Sequence, residues 1–501
     1  MILRCLTALL LLLLPVAAHA EWMRATSQHF VVYSNDRPEA VRAYATNLER
    51  YDKAMRTFRN LPDPPVPLSA RVTVYVLDNI ADVQRLSGPN VWGFYIPRPA
   101  ESVAFVPKRA GSQGYVNFDA QVILLHEYAH HFMYVNAPNA SFPAWFTEGW
   151  AEFNSTARFD PDGSIAFGEP PRARANMVLK GNALPIRKLL FAPRDSLSGE
   201  EWLGMYARGW LLVHYLTLGG KRDGQLTAYL IALNQGKSPE EAAKVFGDLD
   251  ALDRELGRYK LGTLRVAELN PAALAIEPVA VEPLNAAEAA MMDVRVRVAR
   301  GVRDKDAAGV YADAQRAAAS YPNDPVAQLL LAETALSAKD YAAVDAAADR
   351  AVAADPKSVE AYLVKARAKM AVAVAAGDQS KESWNAIRRL IGIANRTDPD
   401  DPEPLIAYFE SYALARQPPT PVSRQGLYKA FELAPQVPFV RLKAAESYLF
   451  EGKPEAARTL LLPLVNSPHG GAYAKQAAAL IARIDGKPAP ADDGKTGDGG
   501  D

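Results

Sequence analysis

Pro322 and Pro356 stand 34 residues apart, and each opens a similar run: PNDPVAQLLLAETAL after the first, PKSVEAYLVKARAKM after the second. Proline has no N–H to give a helix interior and clashes with the preceding turn, so each marks the end of one helix and the approach to another. Pro399, Pro435 and Pro468 continue the punctuation at spacings of 43, 36 and 33. A period in this range belongs to stacked helical pairs, where one unit cannot bury its apolar face alone and its neighbours complete the core. Within a unit, Leu331, Ala332, Tyr341, Ala348 and Ala351 supply the mixture of large and small side chains that two tightly packed helices need. The long interval is expected to hold an insertion at 376–380 (AGDQS). Residues 286–485 are thereby expected to form an all-α repeat, the alternative being an irregular helical bundle.

Upstream the texture differs. HFVVYS (29–34) and RVTVYVL (71–77) read as strands. Between them Val41, Tyr44, Leu48, Tyr51, Met55 and Phe58 recur every three or four residues, which predicts a helix over 38–58. A short helix is expected at 78–86, a hairpin of 91–96 with 102–106, and longer helices at 119–135, 144–156 and 200–218. Strands first and helices afterwards place residues 21–264 in the α+β class. The Pro- and Ala-rich stretch 265–285 reads as a linker or a strapped-down connector, and the tail 486–501 has almost nothing apolar to bury.

The N-terminus carries an address. Arg4, an apolar run from Leu9 to Leu14 and the small-x-small ending Ala18-His19-Ala20 make residues 1–20 a secretory signal peptide. Its apolar stretch is too short to span a bilayer well. Cys5, the one cysteine, would leave with it, so the mature chain would have neither disulfides nor thiolate ligands. Export to a bacterial periplasm is expected, with no membrane span after removal of the signal. Lys+Arg 56 against Asp+Glu 57 gives no overall electrostatic case for nucleic acid as a partner.

The chemistry is concentrated in LLHEYAHHFMY, 124–134. Four residues are about one helical turn, so His126 and His130 leave one face and can reach one ion. Glu127 can then address a water bound to it. Two imidazoles leave a catalytic zinc site short of a third protein ligand. The extended completion HExxHxxGxxH is absent, because Met133 and Asn136 stand where Gly and His are required. The other completion, a glutamate on a following helix, is present in PAWFTEGWAEF (143–153). Glu148 falls eighteen residues after His130, enough for a turn and an antiparallel return. Glu152, one turn on, suits a carboxylate that holds a ligand imidazole by its other nitrogen.

HEYAHH followed by WFTEGWAEF resembles the gluzincins, zinc peptidases of the thermolysin and M1-aminopeptidase type, and is closest to the exported peptidase MA-like proteins. Glu148-Gly149-Trp150-Ala151 matches their third-ligand motif from the glutamate onward, with Thr147 in the place of Asn. The segment MYARGWLLVHYL (205–216) resembles the M1 helix whose tyrosine stabilises the oxyanion, a role that would fall to Tyr206. The amine-gripping G-x-M-E-N strand has no counterpart: Glu101 stands at a plausible distance, but its neighbours do not match. The resemblance is specific over these two short stretches and leaves endo- and aminopeptidase activity open. It implies a thermolysin-like zincin domain with one Zn2+ per chain, while the 34-residue spacing of Pro322 and Pro356 points to tetratricopeptide-like repeats behind it.

Other residues in these segments have plainer readings. His131 lies about 100° round the helix from His130 and is expected to be packed or exposed rather than ligating. His214 reads as a half-buried helix histidine, Tyr128 and Phe132 as core. Trp145, Phe146, Trp150 and Phe153 read as packing between the two site helices. The expected function is hydrolysis of a peptide or protein substrate, with the repeats recruiting that substrate or a protein partner. The alternative is a silent zincin-like domain in a periplasmic repeat scaffold. A zinc hydrolase for another amide or an ester would use the same water chemistry.

Overall fold

The computed structural model describes residues 21–89, 91–108, 111–113, 116–118, 120–172, 175–179, 184–193, 196–468 and 470–488. The expected signal peptide and the tail beyond 488 lie outside them. Strands β1 (Met23–Thr26) and β2 (Phe30–Ser34) pair antiparallel. Helix α1 (Pro38–Arg59) then crosses to β3 (Val72–Leu77), which runs parallel to β2. Helix α2 (Ile80–Ser87) precedes β4 (Phe94–Ile96) and β5 (Val103–Pro107); β5 lies parallel to β3, with β4 antiparallel on the outer edge. Helices thus lie between the strands as well as after them, because parallel neighbours need a crossover rather than a tight turn.

A small hairpin, β6 (Gly111–Gln113) and β7 (Val116–Phe118), leads to α3 (Ala120–Asn136) and then α4 (Ala144–Ser155). The strands β8 (Arg158–Phe159) and β9 (Ile165–Phe167) follow. Next come α5 (Ala175–Leu179), α6 (Ile186–Phe191), α7 (Gly199–Leu218), α8 (Gln225–Asn234), α9 (Pro239–Ala242) and α10 (Leu249–Tyr259). The stretch 265–285 supplies β10 (Ala267–Leu269), which pairs with β9, and β11 (Ala280–Pro283), which pairs with β1. The main sheet therefore reads β11-β1-β2-β3-β5-β4.

Both faces of this sheet are covered, which is why its inner strands are continuously apolar. Alternation sends Phe30, Val32, Val72, Val74, Ala104 and Val106 to one face, against Leu48 and Met55 of α1 and Leu124, Leu125 and Tyr128 of α3. Tyr33, Tyr75, Leu77, Val103 and Phe105 point the other way. They meet Val83 of α2, and also Met292, Val296 and Ala299. The last three belong to α12 (Met292–Arg300), which follows α11 (Ala286–Ala290), so the first helices of the C-terminal region complete the core of the N-terminal one.

The rest is an array of antiparallel helical hairpins of tetratricopeptide-like period: α13 (Ala307–Ala318), α14 (Pro325–Ser337), α15 (Tyr341–Ala354), α16 (Val359–Ala375), α17 (Lys381–Thr397), α18 (Pro402–Leu414), α19 (Pro421–Leu433), α20 (Pro438–Phe450), α21 (Pro454–Val465) and α22 (Gly471–Ile484). Asp324, Ser358 and Asp401 cap their helices through side-chain oxygens, and proline fills the first position of α14, α18, α19, α20 and α21, where no N–H is needed. The long interval is absorbed mainly by the helices: α16 and α17 have 17 residues each, against 13 and 14 in α14 and α15, and 376–380 is their turn. No helix among the described residues is long and apolar enough to cross a membrane.

The array curves back onto the first region. Ser69 Oγ donates to the Asp400 carbonyl at 3.2 Å, and Gln436 Nε2 to the Arg98 carbonyl at 3.1 Å. Arg441 Nη1 reaches the Pro138 carbonyl at 2.7 Å, and Asn466 Nδ2 the Ser141 hydroxyl at 2.7 Å. At the near end Arg300 Nε donates to the Leu86 carbonyl at 2.7 Å.

Candidate metal centre

Helix α3 is apolar nearly all round, and its rotation is fixed by the few polar groups it carries. Leu124, Leu125, Tyr128, Ala129, Phe132 and Met133 are buried. The Tyr128 hydroxyl donates to Asp52 Oδ1 at 2.8 Å, and Tyr95 shares a 2.7 Å hydrogen bond with His131 Nδ1. This orientation turns His126 and His130 toward α4, where Glu148 is fully buried.

The three side chains converge. His126 Nε2 and His130 Nε2 are 3.2 Å apart; Glu148 Oε2 lies 3.2 Å from the first and 3.6 Å from the second. Zinc held tetrahedrally by bonds of 2.0–2.1 Å would set its donors about 3.3 Å apart. The donor triangle therefore has the size such an ion requires, and two imidazoles with one carboxylate are a donor set that catalytic zinc takes. Glu152 Oε1 stands 3.6 Å from His126 Nδ1, on the side of the ring away from the triangle. Glu127, half-buried on α3, is close enough for its charge to act on His126.

Tyr206 comes in from α7. Its ring faces that of His126 with centroids 6.2 Å apart at 26°, and Trp202 meets its edge at 5.9 Å. What lets α7 approach is glycine on both helices. A Cβ built on Gly149 would lie 2.3 Å from the Gly209 carbonyl carbon, and one on Gly209 would lie 2.5 Å from the Trp145 carbonyl oxygen. The glycine after Glu148 and the glycine one turn after Tyr206 are thus the crossing point of their helices.

Burial works against a charged His126, but the hydrogen bond to Glu148 and the charges of Glu152, Glu148 and Glu127 outweigh it and raise the imidazole to about 9. Burial also works against a charged Glu148; the His130 charge and hydrogen bonds from both histidines hold its carboxyl well below the usual range. Metal would replace protons here, since a ligating imidazole must be neutral.

Two further histidines among the described residues, His131 and His214, lie off the triangle. His131 packs on Tyr128 with centroids 5.5 Å apart, and burial lowers it to about 3. His214 is fully buried, within hydrogen-bond reach of the Gly168 carbonyl (3.0 Å) and the Tyr259 hydroxyl (2.9 Å). Glu101 sits in a loop at φ 51°, and the charges acting on it are Glu360, Arg295, Arg98 and Glu403, so it faces the repeats rather than the His126–His130–Glu148 triangle. The aromatic group extends past the two site helices: Trp145 packs on Tyr229, Phe153 on Phe58 and Phe167.

A second group of donor atoms lies behind α3, at His29, Asp52 and Asp63. Arg56 Nε is 2.6 Å from Asp52 Oδ2 and Lys53 Nζ 2.8 Å from Asp63 Oδ2, so cations of the chain already fill it. His29 Nδ1 pairs with Glu49 Oε1 at 2.7 Å. This network orients Tyr128 through Asp52, and sequence reading missed it. Its visible trace is Asp52 and Arg56, one helical turn apart and beside the apolar stripe of α1.

No family model matches the chain, and no curated protein matches it. Among solved structures, a thermophilic TPR protein of Thermus thermophilus is 22% identical and matches 40% of this chain and 98% of its own, with a TM-score of 0.32. MamA is 14% identical over 36% of this chain and 92% of its own, with a TM-score of 0.26. A MamA fragment (41-end) from Desulfovibrio magneticus RS-1 is 12% identical over 35% and 92%, with a TM-score of 0.27.

Proposed function

We propose that the chain is an exported zinc-dependent peptidase of gluzincin type, with a thermolysin-like catalytic region at 21–264. The observation that carries this reading is the donor triangle of His126, His130 and Glu148, sized for a tetrahedral ion, with Glu127 beside it. A zinc ion bound there would bring the pKa of a water toward neutrality and polarise a substrate carbonyl.

The chain's own residues do the rest. Glu127 takes a proton from the attacking water as the oxygen–carbon bond forms, and returns it to the amine nitrogen as the carbon–nitrogen bond breaks. The Tyr206 hydroxyl donates to the carbonyl oxygen as negative charge develops on it. The Glu152 carboxylate, 3.6 Å from His126 Nδ1, steers that side of the ring by its charge and leaves Nε2 aimed at the triangle.

The test is metal content of the purified protein beside cleavage of a mixed peptide library, for wild type and Glu127→Gln. One zinc per chain in both, with cleavage in wild type alone, supports the peptidase. Cleavage retained by Glu127→Gln overturns the mechanism. Absence of zinc moves the reading to a silent zincin-like domain in a repeat scaffold.

A further inference from the structure

The two ligand helices are joined by residues 137–143, and the position of Glu148 relative to the histidines depends on how that loop is held. Part of the hold is local: Ala137 N–H donates to the Met133 carbonyl at 2.9 Å, and Ala140 N–H to the Ala137 carbonyl at 3.1 Å. Asn234 of α8 grips Ser141 from one side, accepting from its N–H at 2.7 Å and donating to its carbonyl at 2.9 Å. The other side is gripped by the repeats. Arg441 of α20 donates to the Pro138 carbonyl, and Asn466, just after α21, donates to the Ser141 hydroxyl, each at 2.7 Å.

Arg441 is an unusual residue to find there. It is only 2% exposed, and among the described residues no carboxylate forms an ion pair with it. One arm of its guanidinium spans to the Pro138 carbonyl and the other to the Pro435 carbonyl at 2.8 Å, with the Phe431 ring 4.9 Å from its centre. Burying a cation on neutral carbonyls is expensive, and a guanidinium tolerates it only where fixed acceptors match its fork. Those acceptors are the α3–α4 loop and the turn entering α20. Tyr134, at the C-terminal end of α3, lies in the fields of both Arg441 and Glu148.

We infer that Arg441, assisted by Asn466, is a positioning residue for the metal centre: the repeat array serves as the outer brace of the loop that sets Glu148 against His126 and His130. This rests on the zinc reading above. It gives the repeats a role at the site itself, distinct from recruiting a partner.

The experiment is zinc affinity of the full chain, by competition with a chromophoric chelator, with far-UV circular dichroism as the check on folding. The variants are Arg441→Met, Arg441→Lys, Asn466→Ala and the control Arg424→Met, whose arginine pairs with Glu451 inside the array. Arg441→Met is expected to bind zinc about tenfold more weakly, the scale on which outer supports of metal ligands act. Arg441→Lys, able to reach one carbonyl, should fall between it and wild type, and Asn466→Ala should weaken binding about threefold on the same footing. At saturating zinc, kcat should fall in Arg441→Met with KM unchanged. Wild-type zinc affinity in both Arg441→Lys and Asn466→Ala overturns the inference even if Arg441→Met fails to fold. Equal weakening in Arg424→Met also overturns it, as general loosening. A wild-type protein that binds no zinc overturns the zinc reading, and this inference with it.

Discussion

Gly149 and Gly209 touch backbone to backbone, and no side chain fits between them. Each is adjacent to chemistry: Glu148 precedes the first, and Tyr206 lies one turn before the second. The contact sets the distance between the helix bearing Glu148 and the helix bearing Tyr206.

Gly149→Ala should therefore be far more damaging than an ordinary helix substitution. A methyl group 2.3 Å from a backbone carbon must force the helices apart, at a cost of about 3 kcal/mol. The expected outcome is a melting temperature several degrees lower and weaker zinc binding. Thermal denaturation with metal titration checks it; an unchanged melting temperature would show that α4 and α7 are not held this closely.

Tyr206→Phe removes a hydroxyl and leaves the ring against His126 and Trp202. Stability and zinc content should stay at wild-type levels while kcat falls about a hundredfold, the loss expected for one oxyanion donor. Steady-state kinetics on a cleaved peptide would decide it, and an unchanged kcat would remove Tyr206 from the mechanism.

The buried His29–Glu49 pair predicts a pH window. Burial opposes the charge on His29, but the hydrogen bond to Glu49 and the charges of Asp52 and Glu49 prevail over it and over repulsion from Arg56, so its pKa is raised. Burial likewise opposes the charge on Glu49, and His29 lowers its pKa in return. The histidine's contribution is complete below its ordinary 6.5 and fades as pH rises through the raised value. The glutamate's is complete above its ordinary 4.5 and fades as pH falls through the lowered value. Glu49→Gln should thus cost most between pH 4.5 and 6.5, roughly 3 kcal/mol for breaking a buried pair. Urea unfolding of both proteins across pH measures the difference; a gap growing steadily into alkaline pH would contradict the assignment.

A chain cut after residue 264 should not fold to a stable domain. It lacks β11 and α12, so β1 loses one of its two partner strands and becomes a bare edge, and Tyr33, Tyr75, Val103 and Phe105 lose Met292, Val296 and Ala299. An exposed edge and an exposed apolar face predict aggregation and dye binding. A soluble, cooperatively melting 21–264 fragment would show that the far face of the sheet needs no cover.

The sequence and the structure agree where information is local. The helices bearing His126, Glu148 and Tyr206 lie within a residue of their expected ends, because their apolar runs and the prolines and capping serine that bound them are written into consecutive residues. The hairpins of the repeat follow their prolines for the same reason. What was not legible is non-local. Strands β1 and β11 are four residues each, too short to show a period, and their pairing spans most of the N-terminal region. The run PFVRLKAAESYLF looks like an ordinary amphipathic helix with a surface arginine; that Arg441 is buried follows only from the return of the array. Asp52 likewise looks like a solvated charge until Tyr128 and Arg56 are placed beside it.

The pairing of Met23 with Pro283 also orders events in time. During synthesis the N-terminal strand emerges with one edge bare, and its partner follows some 260 residues later. At a translation rate of roughly 5–20 residues per second, that interval lasts on the order of 13–50 seconds. Until then the sheet is incomplete, and the brace from Arg441 does not yet exist. On the zinc reading proposed above, a nascent chain would carry His126, His130 and Glu148 well before it carried the repeats that brace their loop, so hydrolytic competence would arrive only with the last third of the polypeptide.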